Sequence, residues 1–137
     1  MNSNGLTSAF SDSQKKWNGK WVLIVEDTID NYLYLKIILK SLGLNLLHAS
    51  TAKEAMELYL ANPQTSLVLM DVQLPDDSGL NLTREMKKLN PDLIVVAQTA
   101  YAMMEDERNC LEAGCDDYLP KPISSASLIR VMNKHLG

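Results

Sequence analysis

Five short runs of aliphatic and β-branched residues, separated by stretches of helical periodicity, constrain the fold of this chain more than any other feature. The runs are Trp21–Val25, Leu44–His48, Leu67–Met70, Leu93–Ala97 and Tyr118–Pro120. Between them, apolar residues recur three and four apart, the spacing of one helix face. In the first helix Leu35, Ile38, Leu39 and Leu42 mark that face and Gly43 ends it. Thr51 and Glu54 form a capping box ahead of Ala52, Ala55, Met56 and Tyr59. Leu82, Met86 and Leu89 share a face of the third helix, and Pro91 follows its end. The fourth helix, roughly Met103 to Ala113, is poorly amphipathic, with only Met104 and Leu111 on a common apolar side. Leu128, Val131, Met132 and His135 mark the last, after a Ser124 or Ser125 cap. Strands that alternate one by one with helices build βα units and a parallel sheet. The middle runs are apolar at every position, as strands covered on both faces are. The pattern predicts an α/β fold: a doubly wound five-stranded parallel sheet with five helices and right-handed crossovers.

In such sheets, sites lie outside the carboxyl ends of the strands, near the switch in strand order. The polar residues that end the runs all fall there. Glu26 and Asp27 follow the first run, Asp71 the third, Thr99 the fourth, and Lys121 the last. Asp27 and Asp71 would stand on neighbouring central strands, where like charges raise one carboxyl pKa unless a cation intervenes. Mg²⁺ suits the arrangement, because it takes one or two carboxylates and completes its shell with water and phosphate oxygens. Acidic residues also favour helix N-termini, which is a plainer account of Glu26 and Asp27 alone. That account leaves Asp71 and Lys121 at matching strand ends unexplained. A Thr99 hydroxyl can bond a phosphoryl oxygen, and a cis bond before Pro122 would aim Lys121 sharply.

A chain of 137 residues defaults to one domain. Residues Met1 to Lys16 are polar and aperiodic, so the division expected is a flexible tail or linker over 1–19 and a folded domain over 20–137. A net charge of −4 with no basic run argues against a nucleic-acid partner. No apolar stretch nears the ~20 residues of a membrane span, and the N-terminus lacks a signal-peptide core. Cys110 and Cys115 match no metal or redox spacing and read as reduced thiols. A cytoplasmic protein without direct membrane contact is expected.

The stretches Val22-Leu23-Ile24-Val25-Glu26-Asp27, Leu69-Met70-Asp71-Val72-Gln73-Leu74-Pro75, Gln98-Thr99-Ala100 and Ala113-Gly114-Cys115-Asp116-Asp117-Tyr118-Leu119-Pro120-Lys121-Pro122 resemble the receiver domain of two-component response regulators. The resemblance covers Lys20 to Leu136 and implies flavodoxin-like strand order 2-1-3-4-5. It implies that Asp71 accepts a phosphoryl group from a histidine kinase or a histidine phosphotransfer protein. Mg²⁺, for which Mn²⁺ can substitute, would be held by Asp27, Asp71 and the Gln73 carbonyl, with Glu26 in the outer shell through water. Family members often carry Asp at that place. Thr99 and Lys121 would hold phosphoryl oxygens, and Thr99 and Tyr118 would form the switch. Gln73 and Tyr101 flank the path of attacking water and would tune the phosphoryl lifetime. Such a chain is no conventional enzyme but would catalyse its own phosphorylation and dephosphorylation, and a dimer that depends on phosphorylation is a further family property. The segments around Thr99 and Cys115 resemble receivers of hybrid sensor kinases, which implies an intermediate in a phosphorelay. Nothing after Gly137 supplies an output domain, so a stand-alone receiver and an excised domain both fit.

The first helix carries more apolar residues than one buried face needs. On a helical wheel Leu33 and Ile37 fall opposite the core side chains, flanked by Ile29 and Tyr34. An exposed apolar stripe marks an interaction site, here the docking face for a histidine-bearing donor. Two other functions fit the topology. A flavin carrier would cradle phosphate after the first strand, where Glu26 and Asp27 repel it. An interaction module without phosphorylation would be expected to lack the acceptor or the lysine, and both are present.

Overall fold

The computed structural model describes residues 17–100 and 104–137. Among them five strands and five helices alternate: β1 (Trp21–Val25), α1 (Ile29–Ser41), β2 (Asn45–Ala49), α2 (Ala52–Ala61), β3 (Thr65–Asp71), α3 (Gly79–Leu89), β4 (Ile94–Thr99), α4 (Met104–Ala113), β5 (Asp117–Pro120) and α5 (Ser125–Leu136). All strand pairings are parallel and the order is β2-β1-β3-β4-β5. The chain reverses its direction of winding at β1 and β3, which brings Val25 beside Met70 and opens the crevice expected at such a switch. Asp71 pairs with Gln98 in register. Two elements run further than the apolar runs suggest, because ladder bonding continues through polar residues. β3 begins at Thr65, and β4 takes in Gln98 and Thr99.

Alternate strand residues point to opposite faces, so the sheet has two cores. Val22, Ile24, Leu67, Leu69 and Val96 pack with Leu35 and Leu39 of α1 and with Leu128, Val131 and Met132 of α5. Leu23, Val25, Val68, Met70, Val95 and Ala97 pack with Ala55 and Tyr59 of α2, Leu82 and Met86 of α3, and Cys110 of α4. Each fully buried aliphatic side chain contributes about 1.5–3 kcal/mol, so this double burial dominates the stability of the strands that carry the site. Trp17 is 2% exposed and belongs to the first core, so the packed unit reaches into the segment expected to be tail. Residues 1–16 of that tail lie outside the described residues.

Local signals set the helix ends. Gly43, at φ +83°, follows the end of α1 in a left-handed conformation that costs glycine little. Thr51 accepts from the Glu54 N–H at 3.1 Å, while the Glu54 carboxylate reaches back to the Ser50 N–H at 2.7 Å. Ser124, not Ser125, caps α5. Two faces depart from expectation. Leu89 and Leu111 are exposed, because Leu82, Thr83 and Met86 carry the inward side of α3 and Cys110 and Ala113 that of α4. Among the described residues no helix is long and apolar enough to cross a membrane.

Candidate functional site

The carboxyl ends of β1, β3, β4 and β5 converge on a cleft of about 360 Å³ lined by Asp27, Asp71, Gln73, Thr99 and Lys121, among others. Each side chain arrives there because its strand has just ended. Asp71 closes β3, buried at 5% exposure, with Oδ1 accepting from the Gln73 N–H at 3.0 Å. Its other oxygen accepts from Lys121 Nζ at 3.2 Å. The same ammonium lies 3.0 Å from Oε1 of Glu26, a carboxylate that is 0% exposed. Glu26 also accepts from the Thr28 N–H at 3.1 Å and from the Asn31 carboxamide. Lys121 is placed by its own backbone, whose N–H donates to the Thr99 carbonyl at 2.7 Å, and its bond to Pro122 is cis.

Glu26, Asp27 and Asp71 each offer an oxygen within 4.8 Å of the others. Two of these groups are buried, so the concentrated negative charge bears on their protonation. Burial and the neighbouring Glu26 charge push Asp71 up to about 6, against the Gln73 N–H and Lys121. Burial works against the Glu26 charge too, but Thr28, Asn31 and Lys121 outweigh it and hold that carboxyl below the usual range. Burial likewise opposes the Lys121 charge, and the two carboxylates raise its pKa regardless. An all-oxygen donor set carrying surplus negative charge suits a hard divalent cation, so the residues present fit Mg²⁺.

The structure therefore brings together Glu26, Asp27, Asp71, Gln73, Thr99 and Lys121. Glu26, expected to reach a cation through water, already has both oxygens engaged by protein donors. Tyr118 lies apart from the cleft, half-buried over a smaller cavity shared with Cys110 and Lys134. Tyr101 lies outside the described residues. Ile29, Leu33, Tyr34 and Ile37 are exposed by 58, 45, 41 and 73%, as the helical wheel requires.

Sequence reasoning passed over four contributors. Asn31 and Gln98 bond each other beside Glu26, and nothing in their spacing announces it. Asp76 ties the loop after β3 to the start of α2 by accepting from the N–H groups of Ala52 and Lys53 at 2.8 and 3.1 Å. Gly79 opens α3 hard against the acceptor strand, where an added Cβ would sit 1.9 Å from the Asp71 carbonyl oxygen. Its N–H also donates to the Val72 carbonyl at 2.8 Å. The Gly79→Ala variant is therefore expected to lose at least about 3 kcal/mol, read as a fall in denaturant midpoint. A loss under about 1 kcal/mol would mean that α3 can slide away from Asp71.

A profile of the response regulator receiver domain matches residues 22–133. The chain belongs to that family. It is 34% identical over 120 residues to the polar-differentiation response regulator DivK of Brucella anthropi, covering 86% of this chain and 97% of that one. It is 36% identical over 115 residues to the aerobic respiration control sensor protein ArcB of Escherichia coli, covering 82% of this chain and 15% of ArcB. A hybrid signal transduction histidine kinase of Dictyostelium discoideum is 31% identical over 145 residues, of which this chain spans only 8%. Among solved structures, the receiver domain of sensor histidine kinase PA1611 from Pseudomonas aeruginosa superposes with a TM-score of 0.78 at 32% identity, covering 87% of this chain and 98% of that one. That structure holds a magnesium ion in its active-site cleft. This receiver thus has the fold and the acidic cluster of two-component signalling domains.

Proposed function

We propose that this receiver takes a phosphoryl group from phosphohistidine onto Asp71 and uses it to switch its surface or pass the group on. The observation that carries the reading is the Lys121 ammonium, 3.0 Å from Glu26 and 3.2 Å from Asp71, in a cleft that also holds Asp27. Asp27, Asp71 and the Gln73 carbonyl would hold Mg²⁺, or Mn²⁺ with the same oxygen preference. When bound, the cation supplies positive charge to the phosphoryl oxygens. An Asp71 carboxylate oxygen attacks phosphorus, the P–N bond breaks, and its electron pair returns to the imidazole, which takes up a proton. Lys121 meets the charge that develops on the oxygens, and the Thr99 hydroxyl then turns toward the new phosphoryl group. Tyr118 follows into the space Thr99 leaves, while Gln73 and Tyr101 set the access of hydrolytic water. Similarity to ArcB and the Dictyostelium kinase supports a relay role, with a histidine kinase or histidine phosphotransfer protein as donor.

Intact mass after incubation with acetyl phosphate and Mg²⁺ tests this. One added phosphoryl group, absent in Asp71→Asn and with chelator, is the expected result. No addition to the folded wild type would move the reading to an interaction module.

The exposed stripe Ile29, Leu33, Tyr34 and Ile37 is the docking face we assign to the donor. The Leu33→Asp, Ile37→Asp double variant should lose transfer from a phosphorylated histidine-bearing protein by at least about 100-fold, since central apolar anchors carry most of an interface's energy. Its labelling by acetyl phosphate should stay within about twofold, because neither residue lines the cleft. Equal loss from both donors would place the effect in the fold.

A further inference from the structure

We propose that Asn31 and Gln98 are positioning residues for this chemistry: their linked carboxamides hold the Glu26 carboxylate, and through it the Lys121 ammonium, in place beside Asp71. The inference rests on the reading of Asp71 as phosphoacceptor.

Glu26 is wholly buried, so its position is set by its donors and not by water. Thr28 holds one oxygen. The other, Oε1, is shared between Lys121 and the Asn31 amide. Asn31 thus acts on the very oxygen that fixes the lysine. It sits in the first turn of α1, and its amide also donates to Gln98 Oε1 at 3.3 Å. Gln98 lies at the far end of β4, beside Asp71 in register, so the pair ties α1 to the strand next to the acceptor.

Gln98 is an odd resident of its position. It follows Val95, Val96 and Ala97, is 0% exposed, and its Nε2 has no hydrogen-bond partner among the described residues. A buried donor left unpaired costs folding free energy, and leucine would fill similar space without that cost. What leucine lacks is the oxygen that steadies Asn31. The carboxamides are also neutral, so they orient Glu26 without competing with Lys121 for its charge. Without them the Glu26 carboxylate can swing, drawing Lys121 from its contact with Asp71.

The test compares wild type, Asn31→Ala and Gln98→Leu in three ways. The first is the rate of labelling at saturating acetyl phosphate and Mg²⁺, read by intact mass. The second is thermal stability. The third, in the metal-free protein, is the side-chain ammonium resonance of Lys121 in a ¹H–¹⁵N spectrum. Labelling should slow about 10–100-fold in Asn31→Ala, the effect of misplacing a group by about an ångström, and in the same direction in Gln98→Leu. Gln98→Leu should nonetheless melt within about 3 °C of wild type, the lost unpaired donor offsetting the lost bond from Asn31. The Lys121 resonance should shift or broaden in both. Labelling within twofold of wild type in both variants overturns the proposal. So does a Gln98→Leu variant that loses stability and rate together, which marks a packing residue. Wild type that takes up no phosphoryl group defeats the parent reading instead. The metal-free Lys121 resonance then decides the positioning role alone, an unchanged signal in both variants overturning it.

Discussion

Replacing Lys121 with methionine is expected to slow labelling of Asp71 by about 10²–10³-fold, the usual cost of removing one preorganised donor from a developing oxyanion. Methionine keeps the apolar stem and takes away only the ammonium. That ammonium is 3.0 Å from Glu26 and 3.2 Å from Asp71 before any phosphoryl group arrives, so it needs no rearrangement to meet one. Its removal also leaves the wholly buried Glu26 charge with neutral donors only, and breaking such a pair costs about 3–5 kcal/mol. Circular dichroism must therefore show a folded variant before rates are compared. Lys121→Arg, which keeps the charge but spreads it over a planar fork, should be folded and intermediate in rate. A methionine variant that is folded and labels within about threefold of wild type would remove Lys121 from the chemistry.

Replacing Asp71 with asparagine is expected to stabilise the metal-free protein by about 2–3 kcal/mol near pH 7.5 while abolishing labelling. The Asp71 pKa is raised from 3.8 to about 6 by burial and by Glu26. A carboxyl raised on folding is most favourable to the native state below its unfolded pKa. That advantage is lost as pH rises through the folded value. The wild type thus carries a penalty above pH 6 that asparagine lacks, and the gap between the two should close below about pH 4. Asparagine keeps an oxygen to accept from the Gln73 N–H, and Lys121 keeps Glu26. Mg²⁺ should narrow the gap at pH 7.5, since a ligand at 100 times its dissociation constant adds about 2.7 kcal/mol to the state that binds it. Urea titrations of both proteins across pH 4–8 read this directly. A pH-independent gap, or a less stable asparagine variant at pH 7.5, would mean that Asp71 is not strained by its neighbours.

Much of this was legible because strand ends are readable. Val25, Met70 and Ala97 close apolar runs, and the crevice above the sheet opens within two residues of such ends, so Asp27, Asp71, Thr99 and Lys121 could be placed together from position alone. The exposed stripe on α1 followed from helical period in the same way. Leu89 and Leu111 escaped that logic because a helix face has meaning only where something covers it.

Sequence by itself determined the alternation of elements, the parallel sheet and which charged groups share one end of it, because these follow from local periodicity and chain direction. Tertiary structure alone decided how those charges are shared. Asn31 meets Gln98 across 67 residues of chain, Lys121 meets Asp71 across 50, and Gly79 meets the Asp71 backbone at a distance that admits no Cβ. Hydrogen bonding, burial and steric contact act at a few ångströms between side chains from separate strands and helices, and no local pattern in the chain encodes which of them will touch.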